Sequence, residues 1–179
     1  MRTVPLPAGL CPPPTRYSTP RSPLHLREGL WVRAMPNWVI TDVLATSPRP
    51  GFAPGPEFTV TSGVVEQWLE EAQAFGIRSI ICLIAGDQLW LYRKAVPEGL
   101  IARYEASGFA VTHIPTLDQQ TVPFTGEQYD RAWHGFRTMP KPVLVHCSAG
   151  MDRTGRIVRH ILDHFSLLGG DETDLYEKE

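Results

Sequence analysis

The chain has 179 residues and a formal net charge of −2, with 17 Lys and Arg against 19 Asp and Glu. The mixed charges exclude the basic stripe of a nucleic-acid-binding protein, and the 3 cysteines are too few for a disulfide framework. With no membrane-spanning apolar run and no signal-peptide-like start, the sequence predicts a soluble, cytoplasmic protein, whose oligomeric state it leaves open.

Residues 1–28 differ from the rest of the chain in composition. Seven prolines there exclude a regular helix or a central strand. We interpret this stretch as a Pro-rich tail or strap, with a docking motif for an aromatic-lined groove as the alternative. We expect one folded domain over residues 29–168 and an acidic tail over 169–179.

The first half of the domain predicts short strands and one long helix. Residues 31–34 and 38–40 are typical of strands around a Pro36-Asn37 turn, and a Pro/Gly loop follows over 47–56. Apolar residues then recur at helical spacing, with Ser62 as the expected N-cap and Gly76 as the C-terminal cap. The apolar run 77–84 predicts a strand that is buried on both faces.

The second half continues the alternation of helices and strands. Pro97 is expected to open a helix that ends at Gly108, and Pro115 to stop the next strand. Thr125 and Gln128 form a capping-box pattern for a helix to about Met139. Strand 142–146 and helix 153–168 complete the domain. This order predicts an α/β fold, a single domain with a mostly parallel central sheet flanked by helices.

The junction between the last strand and the last helix carries the strongest chemical signal. It contains, in order, His146, Cys147, Ser148, Ala149, Gly150, Met151, Asp152, Arg153, Thr154 and Gly155. A tight loop at such a junction points successive backbone N–H groups into one concavity, and the helix N-terminus adds partial positive charge. Such a nest binds a dianion such as phosphate.

Two side chains give this loop its reactivity. Cys147 is predicted to lie at the bottom of the nest, where the surrounding dipoles stabilise the nucleophilic thiolate. Arg153 supplies a planar fork that holds two phosphate oxygens. Thr154 is placed to donate its hydroxyl to the Cys147 sulfur. The phosphate ligands are expected to be the backbone amides of Ser148, Ala149, Gly150, Met151, Asp152 and Arg153, with the Arg153 side chain.

The loop resembles the C-x(5)-R signature of the protein tyrosine phosphatase superfamily, and its late position in the chain is similar to the dual-specificity branch. Upstream residues resemble kinase-associated and atypical members of that branch. These residues are Gln88, Leu89, Tyr92, Val96, Pro97, Leu100, Tyr104, Gly108, His113, Ile114, Pro115 and Asp118. The resemblance covers residues 30 to 168 and implies hydrolysis through a cysteinyl-phosphate intermediate. It implies no metal or other cofactor, because Arg153 and the amides supply the positive charge.

The resemblance also implies a general acid and a supporting histidine. The acid is an aspartate on the loop after the preceding strand, which here is Asp118. Asp152 is the alternative acid, because some relatives use an aspartate one residue before the arginine. The alternative interpretation of Asp152 is an acidic residue in the first turn of a helix, favourable with its dipole. His146 is expected to shape the loop.

The substrate is less constrained than the reaction. Relatives that act on lipids place Lys in the loop to bind additional phosphates, and Met151 cannot do so. This favours a phosphorylated protein or a small phosphomonoester as the partner. Phosphoinositides, inositol phosphates and RNA 5′ ends remain alternatives, as does a non-catalytic phosphate-binding module. The i,i+4 pair His160 and His164 has zinc-ligand spacing but no apparent third ligand, so no metal site is predicted.

Overall fold

A computed structural model gives the fold of residues 36–53, 60–118 and 122–167, which are the residues described below. All of them belong to one compact unit, Trp31–Glu179. The Pro-rich segment 1–28, the strand predicted at 31–34 and the acidic tail 169–179 lie outside the described residues. None of the helices in the described part of the chain is long and apolar enough to cross a membrane.

Strands and helices alternate along the described chain. The elements are β1 (Asn37–Ile40), β2 (Leu44–Ser47), α1 (Ser62–Ala74), β3 (Ser79–Ile84), α2 (Gly86–Leu89) with a 3₁₀ turn at Trp90–Tyr92, α3 (Leu100–Ala106), β4 (Ala110–Thr116), α4 (Gly126–Thr138), β5 (Val143–His146) and α5 (Asp152–Leu167). The sheet order is β1-β2-β5-β3-β4. Only β1 pairs antiparallel to its neighbour among these strands. The predicted α/β fold with a mostly parallel sheet is confirmed.

The sheet separates two hydrophobic clusters, and alternate residues of each buried strand enter opposite clusters. Leu144 of β5 packs with α1 and α3, whereas Val143 and Val145 pack with α4 and α5. All six residues of β3 are buried, which confirms the prediction of a strand covered on both faces. The result is a three-layer domain with helices on both sides of the sheet.

The start of the sheet differs from the prediction. Asn37 already belongs to β1, so it is not part of a turn, and Ser47 ends the unpredicted strand β2 where a loop was expected to begin. β2 pairs with β5 along its whole length, from Leu44 opposite Val143 to Ser47 opposite His146. A four-residue strand carries little periodicity of its own, so the pairing with β5 determines it.

Two helix starts also need correction. The N-cap of α1 is Thr61, and Ser62 is the first helical residue, whereas Gly76 has the positive φ of +87° expected of it. Pro97 does not open α3: it lies in a turn closed by the amide of Gly99 and the carbonyl of Val96, and the helix begins at Leu100. In contrast, the capping box at the start of α4 is present as predicted.

Pro115 does not stop β4, which continues to Thr116. β4 lies at one edge of the described sheet and pairs only with β3 there, with a register irregularity near its end. Proline is tolerated at such a position because no neighbouring strand needs its missing N–H. Side chains of α4 instead reach this strand: Gln128 donates to the Pro115 carbonyl at 3.0 Å and Arg131 to the His113 carbonyl at 2.8 Å.

Candidate active site

The signature loop starts at the carboxyl end of β5, between two parallel neighbours. His146 is paired with Ser47 of β2 on one side and with Cys82 of β3 on the other. The loop then turns over residues 147–151, and α5 begins at Asp152. The carboxyl edge of a parallel sheet is where open α/β folds bind their ligands. The structure therefore places the predicted strand–loop–helix junction at the expected end of the sheet.

Gly150 allows the loop to pass close to β2. Its φ is +72°, and a Cβ atom built there would lie 2.6 Å from the carbonyl oxygen of Ser47. Backbone cannot give way as a flexible side chain can, so both the dihedral angle and the space exclude other residues. The loop conformation thus depends on contact with the segment that follows β2.

The same segment holds the loop by a second set of bonds through Arg49. Its backbone N–H donates to the carbonyl of Ser148 at 2.9 Å, and its Nε donates to the Ser148 hydroxyl at 3.1 Å. Arg49 Nη1 also donates to the hydroxyl of Tyr92 at 3.3 Å, which in turn donates to the Pro50 carbonyl at 2.8 Å. A buried cation therefore lies directly against the signature loop.

His146 is fully buried beneath the loop and is neutral. Its Nδ1 lies 3.2 Å from the carbonyl oxygen of Cys147, and its Nε2 lies 3.2 Å from the hydroxyl of Tyr104. Because a carbonyl can only accept, Nδ1 carries the proton and Nε2 accepts from Tyr104. Burial is the largest cause that lowers the pKa of His146 to about 4. Trp68 packs edge-on against the ring. These contacts fix the backbone at Cys147.

Arg153 is buried and bonded to acceptors from three elements. Its Nη1 donates to the carbonyl of Thr116 at 2.9 Å and to that of Leu83 at 3.4 Å. Its Nη2 lies 3.0 Å from the side-chain oxygen of Gln88 and 3.0 Å from Asp118 Oδ2. The structure therefore brings Arg153 and Asp118 together as a direct ion pair.

A cleft of about 160 Å³ opens beside this ion pair. Both candidate acids, Asp118 and Asp152, line it together with Arg153 and Arg156. The remaining wall is largely apolar and consists of Pro115, Thr116, Leu117, Val122, Pro123, Phe124, Thr125 and Gln128. Because the two aspartates share one cleft, geometry alone does not separate them as proton donors. Met151, at the turn into α5, is 65% exposed.

Two thiols in the described part of the chain, those of Cys82 and Cys147, are buried, as is the Thr154 hydroxyl. Cys147 packs in the cluster beneath α4 and α5. Thr154 Oγ1 has no hydrogen-bond partner among the described residues, so the predicted bond to the Cys147 sulfur is not formed in this structure. Burial raises the pKa of the Cys82 thiol to about 12, which makes it an unreactive core residue. Within residues 36–53, 60–118 and 122–167, no group of three metal-ligating side chains comes together.

Two side chains at the site were not given roles from the sequence. Arg49 falls within the predicted Pro/Gly loop, and Gln88 belongs only to the family resemblance. The sequence does offer a signal for Arg49, because the prolines on both sides of it, Pro48 and Pro50, restrict the backbone that holds this cation. Gln88 offered no such signal, because its partners are 30 and 65 residues away along the chain.

Three comparisons with known proteins bear on the family of this chain. A solved structure from Neisseria meningitidis, described as a candidate phosphatase, is 17% identical, with a TM-score of 0.42 and coverage of 65% of this chain and 69% of that chain. A comparison with curated protein sequences gives no significant match. The family model described as "Tyrosine phosphatase family" matches residues 64–177, which is more than half of the chain and includes the whole signature loop. This chain belongs to the tyrosine phosphatase family.

Proposed function

We propose that the chain is a cysteine-dependent phosphatase that hydrolyses phosphomonoesters of proteins, on phosphotyrosine, phosphoserine/threonine or both. The observation that carries this proposal is the Arg153–Asp118 pair, with 3.0 Å between Nη2 and Oδ2, beside the loop that begins with Cys147. Nucleophile, phosphate ligand and proton donor are thus available from one end of the sheet. The catalytic domain spans residues 29–168 in this proposal and needs no cofactor.

The reaction has two steps. In the first, the Cys147 thiolate attacks phosphorus, the bond from phosphorus to the ester oxygen breaks, and Asp118 donates a proton to that oxygen. In the second, water attacks the cysteinyl phosphate, Asp118 takes a proton from it, and the thiolate leaves. Arg153 and the loop amides stabilise the charge on the phosphoryl oxygens in both steps.

Substrate binding competes with contacts that Arg153 already makes. The guanidinium donates to the Thr116 carbonyl and to Asp118 without substrate. A phosphate dianion is a stronger partner for Arg than a carbonyl oxygen, because the hydrogen bonds are charge-assisted and bidentate. Phosphate oxygens therefore replace the Thr116 carbonyl as the partner of Nη1.

The loop composition supports a phosphoprotein substrate over a phosphoinositide. Met151 is exposed at the turn into α5, where a Lys would meet additional phosphate groups. A thioether provides no charge for such groups. A phosphorylated protein or a small phosphomonoester needs only the single dianion site that Arg153 and the amides provide.

The test is a substrate panel with variants of the three central residues. The wild-type chain is expected to hydrolyse 4-nitrophenyl phosphate and phosphopeptides, and to act weakly on phosphoinositides. Cys147→Ser is expected to abolish turnover, because a hydroxyl at this site is a far weaker nucleophile. Asp118→Asn is expected to lower kcat by about 10²-fold or more. A rapid-quench trap of the labelled intermediate measures the first step directly.

Asp152→Asn is the matched control for the acid assignment, since both aspartates line the same cleft. We expect it to retain most of the activity. A severe loss in Asp152→Asn with a silent Asp118→Asn would reverse the assignment of the acid. Full activity in Cys147→Ser would exclude the cysteinyl-phosphate mechanism, and no turnover of any monoester would leave only a phosphate-binding module.

A further inference from the structure

Gln88 completes a closed triangle of side chains with Arg153 and Asp118. Its Nε2 donates to Asp118 Oδ2 at 2.7 Å, and its Oε1 accepts from Arg153 Nη2 at 3.0 Å. The third side is the 3.0 Å contact between Arg153 and Asp118. Gln88 itself is 5% exposed and belongs to α2, which directly follows β3. The amide therefore connects a phosphate ligand to a proton donor.

The chemistry of the partners fixes the orientation of this amide. The guanidinium of Arg153 can only donate, so the Gln88 atom facing it must be the carbonyl oxygen. The NH₂ group then faces Asp118, whose ionised carboxylate can only accept. Both bonds are satisfied in one orientation, and a flipped amide would lose both of them. Neither Ala nor an aliphatic side chain can replace this bridge.

The bridge also distinguishes the two oxygens of Asp118. Both neighbours of Oδ2, which are Gln88 Nε2 and Arg153 Nη2, are donors. A proton placed on Oδ2 would meet a donor on each side, so Oδ1 is the oxygen that carries the proton when the carboxyl is neutral. Because Asp118 is 51% exposed, it has few other contacts to determine its orientation.

We propose that Gln88 is a positioning residue that holds Asp118 beside Arg153 with Oδ1 directed to proton transfer. This inference rests on the proposed function, in which Asp118 protonates the leaving oxygen. The Gln88 side chain bonds to Asp118 and Arg153, and it acts through these two neighbours. Its loss should therefore affect proton transfer first and phosphate binding second.

Leaving-group dependence gives the first test. Gln88→Met keeps the side-chain length but makes neither hydrogen bond. We compare kcat/KM, which reports only the steps up to departure of the leaving group, because Asp118 also acts in the second step. We expect kcat/KM for phenyl phosphate, a poor leaving group, to fall by about tenfold. We expect a loss below about threefold for 4-nitrophenyl phosphate, whose leaving group needs little protonation. In an Asp118→Asn background, Gln88→Met should cause almost no further loss of activity, because both substitutions impair the same proton transfer.

The pH profile gives the second test. Gln88→Glu replaces the donor with a carboxylate of nearly the same size. A second negative charge beside Asp118 favours the protonated acid, so the alkaline limb of the kcat profile should move to higher pH. The new carboxylate also competes with phosphate for Arg153, so KM should rise. If Gln88 had a purely structural role, Gln88→Glu would not shift the alkaline limb of the pH profile. Gln88→Met would then lower the activity on both substrates by the same factor.

Gln67 of α1 provides matched controls, because it is an exposed glutamine that donates to the Glu71 carboxylate at 3.0 Å. Gln67→Met should leave the activity on both substrates unchanged, and Gln67→Glu should leave the pH profile unchanged. Equal losses on the two leaving groups in Gln88→Met, or an unmoved limb in Gln88→Glu, would overturn the positioning role. Failure of the proposed function would appear separately, as activity that survives Cys147→Ser.

Discussion

Gly150 is subject to two independent constraints. Its φ of +72° is a conformation that residues with a Cβ rarely adopt, and the added atom would also lie 2.8 Å from the Pro48 nitrogen. Moving the loop away from β2 would make room for a Cβ atom but would leave the unfavourable φ. The same movement would also break the Arg49–Ser148 bonds. The position therefore couples loop shape to the segment after β2.

We predict that Gly150→Ala lowers the free energy of unfolding by about 2 kcal/mol and kcat/KM by at least tenfold. The reason is displacement of the loop from the backbone of Ser47. Urea unfolding and steady-state kinetics measure the two effects. Gly155→Ala is the control: a Cβ there meets no atom within 4 Å, and the residue is helical. This control should gain up to about 1 kcal/mol of stability. Similar losses in both variants would contradict the argument.

At the scale of elements, the capping box of α4 anchors the loop that carries Asp118. The Thr125 hydroxyl accepts from the Gln128 backbone N–H at 3.2 Å, and the Gln128 side-chain oxygen accepts from the Thr125 backbone N–H at 3.0 Å. The Gln128 amide also donates to the Pro115 carbonyl. Gln128 in the first turn of α4 is therefore bonded both to the cap residue Thr125 and to Pro115 near the end of β4.

We predict that Thr125→Ala lowers the free energy of unfolding by about 1 kcal/mol, because an orphan N–H of the first turn loses its acceptor. Chemical denaturation of the variant measures this loss. Thr138→Ala provides the comparison within the same helix, since the Thr138 hydroxyl only bonds back to the His134 carbonyl one turn earlier. Its change should stay within about 0.5 kcal/mol. Equal changes at both threonines would show that the cap contributes nothing.

Elements with strong local signals were predictable from the sequence. β3 has a continuous apolar run, α4 has its capping box, and Gly76 ends α1 as a cap should. β2 was missed because its four residues become a strand only by pairing with β5. Pro115 was misassigned because an edge position cannot be recognised before the strand order is known.

The site was predictable to the extent that its residues are neighbours in sequence. The signature loop lies in ten consecutive positions, so Cys147 and Arg153 could be identified together. The supporting contacts could not be, because Arg49 meets Ser148 across 99 residues and Gln88 meets Arg153 across 65. Such pairs are produced by the sheet topology, which brings the ends of β2, β3 and β5 side by side.

At the scale of the whole molecule, the buried neutral His146 makes global stability depend on pH. Its pKa is lowered to about 4 in the folded state, against about 6.5 in an unfolded chain. The unfolded chain therefore binds the extra proton between these two values. The stabilising effect is fully present above pH 6.5 and is lost as the pH falls from 6.5 to 4.

We predict that this histidine accounts for roughly 3 kcal/mol of the stability lost between pH 7 and pH 4. His146→Gln should have lower stability at pH 7 but a flatter dependence on pH, as measured by urea unfolding at intervals over this range. His134→Gln, at an exposed position of α4, should keep the wild-type slope. An unchanged slope in His146→Gln would assign the pH dependence to other groups.

The edge formed by β4 has a consequence for how copies of this chain meet. Exposed strand edges let one sheet continue into another, which leads to aggregation. On β4, Pro115 has no amide to offer, and the carbonyls of His113 and Pro115 are already bonded to Arg131 and Gln128 of α4. An incoming strand would have to displace Arg131 and Gln128 before it could pair at these positions, so side chains of α4 protect this part of the edge.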